Sequence, residues 1–72
     1  MNGQLAPPLR PGDRVVLRST GEKGVVVWTW DDDGVTDCYV AFFGDAWPEP
    51  DRTPGRPYVL RYYASSLEPA GA

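Results

Sequence analysis

Asp31, Asp32, Asp33 and Asp37 follow directly on Trp28 and Trp30. Clustered carboxylates could hold calcium. This run, however, does not fit the twelve-residue D-x-[DN]-x-[DN]-G calcium loop, and it lacks the closing glutamate. A solvated turn is expected, with no metal. The same acids beside Trp30 and Tyr39 have a second chemistry: aromatic faces plus a carboxylate can cage a methylated lysine. Nucleophiles fare worse. The chain has no histidine and a single cysteine, Cys38. A Cys–His pair is therefore excluded, as is a Ser-His-Asp set around Ser19, Ser65 or Ser66. A zinc site of the usual nitrogen and sulfur kind is not expected, for the same reason. No catalytic residue and no cofactor follow from the residues themselves. Cys38 is expected to be a small buried apolar side chain.

Composition narrows the partner class. The 72 residues allow one domain, and seven basic residues against ten acidic ones give a net charge of −3. The arginines (Arg10, Arg14, Arg18, Arg52, Arg56, Arg61) are scattered rather than gathered. Nucleic-acid binding needs clustered cations to displace counterions from phosphate, so it is disfavoured. No apolar leader or membrane-length run is present, and a cytoplasmic protein is expected. A core this small gains from self-association, since a chain of this size buries only about 60% of its unfolded surface.

The elements that must position these residues are strands. Residues 1–11, with three prolines, read as a flexible arm, and 70–72 as a loose tail. Asp13–Arg18 reads as a first strand with Val15 and Leu17 on one face. Val25–Trp30 is rich in β-branched and aromatic residues and reads as a central strand. "DDDGVT" reads as a polar turn in which Gly34 takes positive φ. Asp37–Phe43 forms a third strand. "GDAWPEPDRTPGRP" carries four prolines in fourteen residues, so it is a long loop and a candidate working surface. Tyr58–Tyr63 forms a fourth strand, "ASS" a short helical turn, and "SLEP" a last strand. Residues 12–69 are thus expected to make an all-β fold: a small bent barrel of about five strands, with the Pro-rich loop before the fourth.

"GDRV", "GVV", "YVAF" and the closing "SLEP" together resemble the SH3-like barrels of the electron-transport-accessory superfamily. That group includes the C-terminal domain of nitrile hydratase β-subunits, the type II dihydrofolate reductases and a small stromal subunit of photosystem I. The resemblance spans Gly12 to Pro69. It implies Val26, Val40 and Phe42 inside and Leu67 plugging one end. Gly24 would let two backbones approach. Trp47 and "SSLEPA" match the hydratase domain, whose arginine-rich segment is replaced here by "STGEKG". "VLRY" matches the reductase pore motif at Val59 and Tyr62, which the resemblance would assign to NADPH in a homotetramer. Leu60 and Arg61 depart from that motif.

In a regular strand Val26, Trp28 and Trp30 share one face. Val26 and Trp28 are expected in the core. Trp30 is expected at its rim, either as core edge or as contact. Tyr39, Ala41 and Phe43 form an apolar face opposite Val40 and Phe42. Phe43 with Trp47 is expected as an exposed apolar patch, unless the Pro-rich loop folds over it. The leading functional expectation is a non-catalytic accessory module that binds a protein partner or copies of itself. Its anchors would be Trp30, Tyr39, Phe43 and Trp47, steered by Asp31, Asp32, Asp33 and Arg61. A type II reductase-like tetramer using Val59, Tyr62 and NADPH is one alternative. A KOW- or Tudor-like nucleic-acid contact is the other. An absorbance assay with NADPH and dihydrofolate separates the first two. The module predicts no turnover and no NADPH binding; either signal would favour the reductase.

Overall fold

The computed structural model describes residues 8–44, 47 and 57–70. Most of the Pro-rich segment, residues 1–7 and residues 71–72 lie outside the described residues. Among the described residues five strands form one antiparallel sheet: β1 (Arg14–Leu17), β2 (Lys23–Asp32), β3 (Val35–Phe42), β4 (Tyr58–Tyr63) and β5 (Leu67–Pro69). Their spatial order is β4-β3-β2-β1-β5. The sheet is open between β4 and β5 among the described residues. A 3-10 turn at Ala64–Ser66 carries the chain from β4 across to β5.

Local chemistry explains the joints. Arg10-Pro11-Gly12-Asp13 forms a turn in which the Asp13 N–H donates to the Arg10 carbonyl at 3.0 Å. Proline presets the second position, and Gly12 takes the φ of 95° that the third requires. The Arg10 N–H also donates to Asp13 Oδ2 at 2.9 Å. Between β2 and β3 the turn is tighter than the sequence suggests. Asp32 pairs with Val35, so only Asp33 and Gly34 form the loop, with φ of 56° and 86°. Two central residues at positive φ are the mark of a type I′ hairpin, whose twist matches its flanking strands. The ladder therefore continues through Asp31, Asp32, Val35 and Thr36, beyond the expected strand ends.

Val15, Leu17, Val26, Cys38, Val40, Phe42 and Leu67 make the core, with Leu9, Tyr62 and Ala64 packed against it. Leu67 is buried among them. One expectation fails. The register between β2 and β3 slips between Val26 and Trp28: Val26 faces Val40, but Trp28 faces Tyr39. Two residues of β2 oppose one of β3, which is a β-bulge. The inside-outside alternation is reversed beyond it. Val26 stays in the core, whereas Trp28 turns outward and is 60% exposed. Trp28 is not a core residue.

Gly24 is where backbone and core meet most closely. A Cβ there would lie 2.6 Å from Val40 Cγ1 and 3.0 Å from the Phe42 ring. Both neighbours are fully buried and cannot withdraw. Gly24→Ala should destabilise the domain by about 1–3 kcal/mol, the usual cost of overpacking. A urea titration monitored by tryptophan fluorescence measures it; an unchanged midpoint would refute the close approach.

Candidate functional site

The bulge gathers rings on the outer face of β2, β3 and β4. Along β2 this face carries Trp28, Trp30 and Asp32; along β3 it carries Val35, Asp37 and Tyr39; along β4 it carries Val59, Arg61 and Tyr63. Tyr39 and Tyr63 are 43% and 54% exposed. Trp30 is half-buried by its neighbours, with the Tyr39 ring 4.9 Å away and the Arg61 guanidinium 5.7 Å from its own ring centre. Arg61 thus lies over an indole face, where the ring quadrupole attracts a cation.

Arg61 is held there by Asp37. Its Nε donates to Asp37 Oδ1 at 3.0 Å and its Nη2 to Asp37 Oδ2 at 2.9 Å. A two-point fork of this kind fixes direction as well as distance. Asp37 is the one buried charged side chain among the described residues, while half of the Arg61 side chain remains exposed. The Arg61 hydrogen bonds hold the Asp37 carboxyl below the usual carboxylate range, against the opposing effect of burial. Asp37 in turn keeps Arg61 charged. The pair is a rigid polar centre within an aromatic surface.

The structure brings Trp30, Tyr39 and Arg61 together and sets the other expected anchors apart. Trp47 is half-buried against the start of β2. Its indole N–H donates to the Gly24 carbonyl at 3.2 Å, and Arg14 and Lys23 lie 5.4 Å and 5.5 Å from its ring centre. Phe43 is half-buried. Asp31, Asp32 and Asp33 are exposed at the hairpin tip, where Thr36 Oγ1 donates to Asp31 Oδ1 at 3.3 Å. No group of three metal-ligating side chains occurs among the described residues. Val59 lies on the outer face of β4 and Tyr62 on the core side, its ring edge-on to Phe42 at 6.0 Å. Cys38 is fully buried, and burial together with Asp37 pushes its thiol up, so it stays protonated.

Sequence reasoning missed Trp28, Tyr63 and the role of Asp37. The bulge hid Trp28. Asp37 and Arg61 did carry a signal: each is the lone charge of the central part of an apolar strand, and opposite charges on neighbouring strands attract. Compared with family models, curated proteins and solved structures, the chain matches none.

The acid limb of stability should follow Asp37. Its folded pKa is depressed, so its contribution is present above the ordinary value of 3.8 and is lost as pH falls below it. Asp37→Asn should be less stable than wild type at neutral pH, and the two should converge in strong acid. Urea midpoints across that pH range test this; parallel curves would show that the pair does not couple to folding.

Proposed function

We propose that this protein is a non-catalytic interaction module, an SH3-like barrel that docks a protein partner through the outer face of β2, β3 and β4. The observation that carries this reading is Trp28, 60% exposed on a face that already holds Trp30, Tyr39, Tyr63 and the Asp37–Arg61 pair. None of these rings belongs to the core cluster of the described residues, so core packing does not account for them. Trp, Tyr and Arg are the side chains most enriched at binding hot spots. An arginine pinned in advance loses little freedom on association, which favours affinity. The exposed acids Asp31–Asp33 at the face's end favour partners with positive charge and speed their approach. The SH3-like assignment draws support from the order of the strands, with β5 returning to pair with β1.

The reductase alternative gains nothing from the described residues, because Leu60 and Arg61 stand at the two departing motif positions and Arg61 is tied to Asp37. A nucleic-acid contact gains nothing either, because Arg61 is committed to Asp37 and Arg18 to Glu68 at 2.9 Å.

A Trp28→Ala/Tyr63→Ala variant tests the face. It should keep the wild-type β spectrum, since both rings are outside the core. In crosslinking from cell extract it should lose the partner proteins that wild type and Arg18→Ala retain. Equal recovery by all three would overturn the reading.

A further inference from the structure

β4 is exposed on both of its faces. Val59 and Tyr63 belong to the outer face and are 51% and 54% exposed; Tyr58 and Leu60 belong to the core side and are each still 44% exposed. The core side of a strand is normally covered by its own domain. Here the cover is partial among the described residues: the Tyr58 and Tyr62 rings meet Phe42, yet Tyr58 and Leu60 keep nearly half of their surface exposed. Among the described residues β4 also pairs on one side only, with β3. Open edges are usually guarded by proline, free lysine, a bulge or a very short strand. Tyr58–Tyr63 is six residues long, has no proline or lysine, and keeps an unbroken register with β3. Its only formal charge, Arg61, is neutralised by Asp37.

We propose that the free edge of β4 pairs antiparallel with the β4 edge of a second copy of this chain, with Leu60 on the two-fold axis. A two-fold axis normal to the sheet keeps like faces on the same side, so facing residues must share parity. Two registers use most of the strand. One sets Arg61 against itself, and like charges directly opposite are unfavourable. The other sets Leu60 against itself, Tyr58 against Tyr62 of the partner subunit, and Arg61 against Val59 of the partner subunit. It buries the uncovered core-side residues of both copies. No other occupant needs to supply complementary chemistry, because the edge complements itself.

Area sets the strength. Taking about 200 Å² for a tyrosine, the uncovered parts of Tyr58, Val59, Leu60 and Tyr63 come to roughly 400 Å² per chain. A pair then buries at most about 800 Å² of side chain, below the roughly 1,200 Å² at which stable complexes begin. The dimer is therefore weak and exchanges rapidly. Each copy carries a net charge of −3, so added salt should strengthen association by screening their repulsion.

Sedimentation equilibrium from micromolar to millimolar protein tests this on the full chain. Wild-type mass should climb toward twice the monomer, more readily at higher salt. Leu60→Lys and Val59→Lys, one on each face of the strand, should stay monomeric with a wild-type β spectrum. Trp28→Ala should dimerise as wild type does. A wild type that stays monomeric overturns the proposal, as does growth beyond a dimer. It also fails if the lysine variants associate normally. Loss of association in Trp28→Ala alone would move the contact to the aromatic face, leaving the docking function intact and the β4 pairing refuted.

Discussion

One unmatched residue in β2 decides what this domain shows to its surroundings. Up to Val26 the strand puts its even-numbered residues inside; beyond Val27 the alternation is reversed. Without the bulge, Trp28 and Trp30 would point into a core already filled by Val40, Phe42 and Leu67. That core has no room for them, as the contacts around Gly24 indicate. The slip resolves the conflict by sending both indoles outward and turning Thr29 toward Cys38 instead. A bulge costs one ladder position; two indoles forced into a close-packed interior would cost far more.

The outward indoles then need a support that keeps an aromatic surface from being merely sticky. Asp37 and Arg61 provide it. The carboxylate is buried beneath the rings and the guanidinium lies over Trp30, so the surface has a fixed polar centre. Burying a carboxylate is costly unless its oxygens are satisfied, and here each receives a guanidinium N–H. The pair joins β3 to β4 by side chains as well as by the ladder. It therefore belongs to the fold and to the site at once.

The two ends of the sheet are guarded unequally. β5 is only three residues long, and its Glu68 is tied to Arg18, whose Nε also donates to the Ser65 carbonyl at 3.1 Å. β4 is twice as long and keeps large apolar groups on both faces. At one point it is tethered across β3 to the turn before β2, where the Tyr58 hydroxyl donates to the Glu22 carboxylate. That bond raises the phenol's pKa and keeps its proton in place. The edge is thus ordered without being covered.

Much of the fold was legible because strands announce themselves locally. β-branched runs, glycines at the turns and the "ASS" and "SLEP" segments placed all five elements, and β4 runs from Tyr58 to Tyr63 as the sequence indicates. Alternation put Val15 and Leu17 on one face, the resemblance implied Val26, Val40, Phe42 and Leu67 inside, and all six are buried. The site was only half legible. Trp30, Tyr39 and Arg61 could be named from residue type, but Trp28 was placed in the core and Trp47 among the exposed anchors. Alternation cannot locate a bulge inside "VVVWTW", because its one polar residue, Thr29, turns to the core side and so marks the wrong phase. Nor could it pair Asp37 with Arg61, since the meeting of residues 24 positions apart depends on the register between β3 and β4. The sequence determined which residues could be strands and which side chains could bind. Only the tertiary structure decided which way the rings face, because facing is set by cross-strand register and core volume, and both are properties of the assembled sheet.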